Sequence, residues 1–474
     1  MEHLPDLIAS LKGKEVAAHN AVFDIAWLLY YSPEQRMAAV RWRDTQGMAK
    51  WINNGQKAER PKMSFRLKDL VALYIPDHPL YDEFQDVKED VRIPGQDNEY
   101  WERRGELDAI LTRHLYIHMY SIMPESMKNG FKIEQRILVP VAKSWNKGIQ
   151  LDLKAAEALK PKIATAKKNI ANSLMQPQSM FTSPKQLGVY LYEYLRLSPI
   201  STTPTGNPST KADDLKMMHQ SLAGSKEGDA IKKILDFKQL STLETKFVNG
   251  MLKVNDYVGE PTNHSAPRIF STYTGRFTYS SKTLETRFKP GIATHQLPRK
   301  GPTRNLLIAP EGYLVGELDA AAQEMRGMAI ESGDPELVNG FNNGVDLHGA
   351  MGADIAQMAY DMYMELYWGG DKAAINFRYA GKLLNLSCQY RIGYGALVGK
   401  FFSTYGIIIS RGQSYNYLST YKNRYKMVPE YWKRAVQDAK EKGYAETIAG
   451  RRYQLSDWGR MKWATESSAI NFPV

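Results

Sequence analysis

Apolar and polar positions change their period several times along the chain, and each change marks a different kind of element. Residues 15–18 form a short apolar run that predicts a strand, leading into His19-Asn20-Ala21-Val22-Phe23-Asp24. Residues 67–74 and 109–120 carry helical spacing, and 89–98 are charged and turn-rich, which predicts an exposed loop. An apolar stretch within 129–152 is closed by Gly148 and Asp152. Residues 155–174 combine good helix formers with several lysines and predict a long exposed helix. Ser, Thr, Pro and Gly crowd 201–212 into a loop, and 230–252 read as helix again. Turn residues and short strand-like pieces fill 261–310. Residues 313–318 are a compact, mostly apolar run ending at Asp319, the pattern of a buried strand that presents an acid at its end. From 323 to 468 the pattern is largely helical, with breaks at Gly369–Gly370, 393–395 and Gly450. No repeat of fixed period is present.

Composition narrows the class. A chain of 474 residues suggests about three domains. With 43% hydrophobic and 24% charged residues it is neither disordered nor collagen-like. One cysteine, Cys388, excludes a disulfide framework and a cysteine-based zinc site, and fits a reducing compartment. The most apolar early stretch, 21–31, is interrupted by Asp24, and no run approaches the ~18 residues of a membrane span. No secretory signal is evident. Between 371 and 462 there are seventeen Lys/Arg and six Asp/Glu, an excess equal to the net +11 of the whole chain. Basic charge concentrated in this way points either to a polyanion such as nucleic acid or to a solvated basic face.

Two clusters carry candidate chemistry. The first is Val315-Gly-Glu-Leu-Asp319-Ala-Ala-Ala-Gln-Glu324-Met-Arg326. A carboxylate at a strand end suits Mg²⁺, which takes oxygen ligands; the alternative is that Asp319 caps a helix. The second is Arg378-Tyr-Ala-Gly-Lys382-Leu-Leu-Asn-Leu386-Ser-Cys-Gln-Tyr390. Steps of four drift by about 40° on a helix, so these residues form one slowly winding stripe. Two cations, an aliphatic and an aromatic in that order suit a triphosphate, a sugar and a base. They also suit a partly exposed helix whose cations reach solvent.

Together the clusters resemble the family A DNA polymerases, the bacterial polymerase I and T-odd phage type. Asp319, Glu324 and Arg326 resemble that family's motif A, and Arg378, Lys382 and Tyr390 its motif B. Flanking signatures agree in order. Phe181, Ser183, Gln186, Leu187, Thr205-Gly206 and Ser209-Thr210 resemble the thumb. Thr274-Gly275-Arg276 and Gln296-Leu297-Pro298 resemble the primer–template segment. Gly333-Asp334-Pro335, Asp346-Leu347-His348, Gly443-Tyr444, Gly450-Arg451-Arg452 and Asn471-Phe472-Pro473-Val474 follow. Asn20, Phe23 and Asp24 resemble the second motif of the family's 3′–5′ exonuclease, with Asp44-Thr45 as companions. Asp108 resembles the third motif, although Arg104 stands where that motif has a tyrosine.

The resemblance implies a partial α/β, ribonuclease H-like exonuclease domain followed by a mostly helical α+β right-hand polymerase domain with thumb, palm and fingers. The implied boundaries are 1–128 for the exonuclease-like part, 129–255 for connector and thumb, 256–325 for the first part of the palm, 326–430 for the fingers and 431–474 for the palm return. It implies two Mg²⁺ ions liganded by Asp319, with Lys382 and Arg378 on the triphosphate and Glu324, Tyr390, Leu386 and His348 around the nucleotide. Arg276, Gln296, Asn471 and Arg451 are implied to contact primer–template DNA. Leu386 replaces a usual aromatic, as in viral members, and Arg391 a usual glycine. The family's first exonuclease Asp-x-Glu and its His-Asp-Glu motif C are not in the sequence. The isolated chain is therefore expected to lack polymerase and exonuclease activity, Asn20, Asp24 and Asp108 being a remnant. Three sources of motif C stay open: a second polypeptide in trans, a gene interrupted by an intron or intein, and a longer gene of which this sequence is a fragment. The expected partners are such a polypeptide, DNA and deoxynucleoside triphosphates, with no membrane. A phage protein acting in the host cytoplasm fits this reading. The alternative is a non-catalytic DNA-binding accessory protein.

Overall fold

The computed structural model describes residues 4–32, 39–54, 64–86, 98–258, 260–280, 292–298, 301–455 and 462–474, and nearly all of the loop expected at 89–98 lies outside them. The chain forms two compact units. The first comprises 1–148, 264–281 and 433–474; the second comprises 149–263 and 282–432.

The first unit begins with a parallel pair, β1 (Glu15–Ala18) and β2 (Arg41–Asp44), in register from Glu15 opposite Arg41 to Ala18 opposite Asp44. Each strand feeds a helix: α1 (Ala21–Tyr31) after β1 and α2 (Thr45–Ile52) after β2. Asp44 caps α2, its Oδ1 accepting from the backbone N–H groups of Gln46 and Gly47. Asn20, before α1, adopts φ 64°, a left-handed conformation that asparagine tolerates. Helix α1 buries Val22, Ile25, Ala26 and Leu29, and packs along α4 (Leu138–Lys147), which follows the long α3 (Asn98–Ile122). Gly148 ends α4 at φ 62°, as the sequence predicts for a closing glycine. The hairpin of 444–446 with 452–454 and the terminal helix Lys462–Asn471 bury Ala445, Leu455, Ala469 and Phe472 together with Ala439.

In the second unit, a three-stranded antiparallel sheet joins 149–151 to 262–263 and 307–308. Helix α5 (Leu153–Ser173), capped by Asp152, is the long lysine-bearing helix expected from the sequence. Most of the remaining described residues are helical. Its tightest pairing is between α6 (Leu347–Ala356) and α7 (Lys372–Cys388). Two glycines permit that approach. A Cβ on Gly381 would collide with the His348 carbonyl oxygen and lie 2.8 Å from the Gly352 nitrogen. A Cβ on Gly352 would lie 2.5 Å from the Tyr363 hydroxyl and 3.0 Å from the Phe377 carbonyl oxygen.

One expectation fails. Residues 313–318 are neither buried nor in a sheet: they adopt no regular secondary structure, with Leu314 97%, Val315 61% and Leu318 102% exposed. Strand formation is a tertiary event, needing a partner edge and a face to bury, and among the described residues no strand pairs with this run.

Candidate functional site

Helix α7 brings the cationic row into one place in the second unit. Arg378 is half-buried, and its Nε donates to Asp346 Oδ2 at 2.6 Å, while its guanidinium lies 5.1 Å from the Tyr367 ring centroid. One turn on, Lys382 is exposed. Leu386 follows, half-buried. The stripe then ends, because α7 stops at Cys388 and Tyr390 lies beyond it in a turn. The expected four-residue helical row is thus three residues long. Arg391 has φ 56°, the left-handed region that favours glycine, where the sequence departs from the family's glycine.

Asp346 has two tasks. Its Oδ1 caps α6 by accepting from the His348 N–H at 3.1 Å, and its Oδ2 holds Arg378. Burial would raise its pKa, but the Arg378 hydrogen bond and charge outweigh that and hold the carboxyl below its ordinary value. His348, on the first turn of α6, faces the same cations. Burial first, then the charges of Arg378 and Lys382, push its pKa down to about 4 against the pull of Asp346. Asn385 fixes its tautomer. The Asn385 Nδ2 donates to the Leu347 carbonyl at 2.9 Å and sits 3.1 Å from His348 Nδ1. A reversed amide would set two carbonyl oxygens against each other, so Nδ1 accepts and the proton resides on Nε2. His348 is therefore a neutral donor beside two cations.

The helix that follows the Asp319 run touches the end of α7. Gln389, 1% exposed, donates from Nε2 to Glu324 Oε2 at 3.4 Å, and its carbonyl accepts from the Trp432 indole at 3.0 Å. Arg326 turns away, its guanidinium 4.4 Å from the Phe341 ring centroid. Asp319 lies on the exposed run and makes no hydrogen bond or ion pair among the described residues. It does not cap a helix: the next helix starts at Gln323. The described residues contain no group of three or more His, Cys, Asp or Glu able to hold a metal. A two-ion site needs several carboxylates, so Asp319 offers one ligand and this chain's described residues do not complete the cage.

The residues expected on DNA are differently placed. Gln296, in the second unit, is exposed on the single turn Thr294–Gln296. In the first unit Arg276 is exposed. Arg451 is not: it is 8% exposed, its Nη1 is 3.1 Å from Glu134 Oε1, and its guanidinium lies 5.2 Å from the Trp51 ring centroid. It also packs beneath Gly275, where a Cβ would strike its guanidinium. Arg451 thus supports the turn that presents Arg276 instead of offering itself to a ligand. Asn471 is half-buried and donates to Ser467 Oγ at 3.1 Å.

The exonuclease-like residues gather around α1. Burial first, then the neighbouring charges of Asp44 and Asp108, push Asp24 up to about 7. Asp44 is occupied as a cap and by the Asn20 N–H at 3.1 Å, and complete burial raises its pKa. Sequence reasoning named Asp44 and Asp346 only as neighbours in motifs, and missed Asn385 and Gln389. The available signal for Asn385 was a polar residue among the apolar positions of one helix; Gln389, just past that helix, carried none.

The sequence profile of DNA polymerase family A matches residues 152–474. DNA polymerase I of Geobacillus stearothermophilus is 24% identical over 98% of this chain and 48% of its own length. DNA polymerase I of Pseudomonas aeruginosa is 29% identical over 62% of this chain and 29% of its own length. The chain thus spans about half, or less, of these curated relatives. Among solved structures, the POL domain of Pol1 from M. smegmatis, in complex with DNA primer-template and dNTP, shares the fold. It superposes with a TM-score of 0.71 at 22% identity, over 96% of this chain and 72% of that one. With its profile spanning two thirds of the sequence and carrying both clusters in order, the chain belongs to DNA polymerase family A.

Proposed function

We propose that this chain is the nucleotide-binding and template-handling part of a DNA-directed DNA polymerase, acting on primer–template DNA and deoxynucleoside triphosphates. The observation that carries this is the Glu324–Gln389 contact, which joins the helix after Asp319 to the end of the helix bearing Arg378 and Lys382. Lys382 and Arg378 supply positive charge to the triphosphate, and fixed charge aimed at developing negative charge is usually the largest catalytic contribution. His348 adds an uncharged N–H donor. Glu324 lies under the sugar, where it disfavours a 2′-hydroxyl. Leu386 and Tyr390 line the nucleotide, and Arg276 and Gln296, each exposed on its own unit, are DNA-contacting side chains. Mg²⁺ would supply charge neutralisation when bound; Asp319 alone does not fit a two-ion site.

We further propose that a strand carrying the family's motif C acid, whether from a second polypeptide or from a longer form of this chain, pairs with residues 313–319. The exposed apolar side chains of that run support this reading. The 3′–5′ exonuclease-like part, taken as 1–128, is read as a non-catalytic remnant. The purified chain is expected to give no primer extension with Mg²⁺, and to gain it when co-purified with a polypeptide bearing His-Asp-Glu. Extension by the chain alone overturns the need for a partner. Salt-sensitive DNA binding with no incorporation, even with the partner, favours an accessory DNA-binding role instead.

A further inference from the structure

Residues 1–128 have no catalytic task in the polymerase reading, yet buried side chains within and just after them hold a segment that has a task. Residues 272–276 lie in the loop of a hairpin whose strands are Ala266–Arg268 and Thr278–Ser280. The chain reverses there: the Gly275 N–H donates to the Thr272 carbonyl at 3.2 Å, with Gly275 at φ 82°. Thr272 Oγ1 donates to the Arg276 carbonyl at 2.9 Å. Tyr273 and Arg276 are both exposed. A surface loop of this kind samples many conformations unless other elements fix it.

The groups that fix it come from far away in sequence, within the first unit. Asn54, 9% exposed and just beyond α2, donates from Nδ2 to the carbonyls of Tyr273 and Arg452, at 2.9 Å each. Its own backbone carbonyl accepts from the Gln454 N–H at 2.8 Å. One asparagine thus ties the turn to the strand Arg452–Gln454, and the Tyr273 and Tyr453 ring centroids lie 4.9 Å apart across the same junction. Arg451, whose guanidinium a Cβ on Gly275 would strike, is held in turn. Trp51 of α2 donates from Nε1 to Glu134 Oε2, which keeps Oε1 on Arg451 Nη1 at 3.1 Å. Backbone meets backbone behind it: a Cβ on Gly450 would collide with the Ser126 carbonyl oxygen, and one on Gly130 with that of Ala449. Buried polar groups paired in this way fix a geometry, because losing one partner leaves the other unsatisfied.

We infer that this part of the chain is a scaffold for primer–template binding: Asn54 and the Trp51–Glu134 pair are positioning residues that act through Tyr273 and Arg451 to fix the turn carrying Arg276 before DNA arrives. A turn fixed in advance spares the complex the cost of ordering it. The inference rests on the reading of Arg276 as a DNA-contacting side chain.

The test uses the full chain with Asn54→Ala and, as a second variant that keeps side-chain shape, Glu134→Gln. Amide hydrogen exchange without DNA, read by mass spectrometry, is expected to speed up by about tenfold or more at 272–276 in each variant and to stay unchanged in α1 of the same unit. Affinity for a fluorescent primer–template is expected to fall by about fivefold in each variant and in Arg276→Ala. Adding Asn54→Ala to Arg276→Ala should cost no more than about twofold further, since both act through one side chain. Unchanged exchange at 272–276 in both variants, faster exchange throughout the first unit, or affinity losses that add in full overturn the proposal. Wild-type primer–template affinity in Arg276→Ala overturns the DNA-contact reading, and the affinity half of the proposal with it, while exchange localised to 272–276 would still establish that the scaffold holds the turn.

Discussion

Protonating His348 is the most sharply defined perturbation this structure offers. Its pKa is pushed down to about 4 by burial and by two cations, while Asn385 occupies Nδ1 as a donor. At pH 7 the protonated form therefore lies about 4 kcal/mol above the neutral one. An ordinary histidine would be half-charged near pH 6.5. The linkage has a definite sign. Between about 4 and 6.5 the unfolded chain binds a proton at this position and the folded chain does not, so stability falls as pH drops through that window. The full loss is on the order of 3 kcal/mol by pH 4. Imidazole nitrogen NMR on histidine-labelled protein reads both the tautomer and the titration. His348 should show its proton on Nε2 and no titration above pH 5. In Asn385→Ala the midpoint should move up yet stay below 6.5, because the donor to Nδ1 is gone while burial and the two cations remain. A wild-type midpoint near 6.5, or a proton on Nδ1, refutes the argument.

Other perturbations reach different parts of the structure. Asp24→Asn should raise stability by about 4 kcal/mol at pH 8.5 and by progressively less as pH falls from 7 toward 3.8, since across that window the native carboxyl, pushed up to about 7, must hold a proton that the unfolded chain has released; equal melting temperatures of variant and wild type at pH 8.5 would contradict this. Gly381→Ala should wedge α6 from α7, lowering stability by about 1–3 kcal/mol and weakening triphosphate binding, as read by calorimetry. Arg391→Gly should raise the melting temperature slightly, by up to about 1 kcal/mol in stability, because it relieves a left-handed residue. In an extension-competent complex, Leu386→Tyr should increase dideoxynucleotide incorporation relative to deoxynucleotide; an unchanged ratio would remove Leu386 from the sugar.

Local chemistry explains which features were legible in the sequence. The ends of α4 and α5 were readable because Gly148 and Asp152 act through backbone conformation and capping, which depend on neighbours in sequence. The cationic row was readable because Arg378 and Lys382 are one helical turn apart. The state of 313–318 was not, since alternating exposure and burial depend on a partner strand that the run does not name. Arg451 shows the same limit in reverse: an arginine in a motif looks available, yet Glu134 and Trp51, more than three hundred residues earlier, enclose it. Asn385 and Gln389 looked like ordinary helix polar residues until α6 and the helix Gln323–Ser332 placed His348 and Glu324 beside them.

Convergence of Asp319 and the cationic face of α7 on one bound nucleotide is measured most directly by affinity cleavage. Fe²⁺ replaces Mg²⁺ as the ion carried by a deoxynucleoside triphosphate on primer–template, and peroxide-driven backbone cuts are mapped. The account predicts nucleotide-dependent cuts in the same sample around residues 317–321 and 378–382, both lost in Lys382→Ala. Cuts in only one of these segments, or cuts in neither, would contradict it.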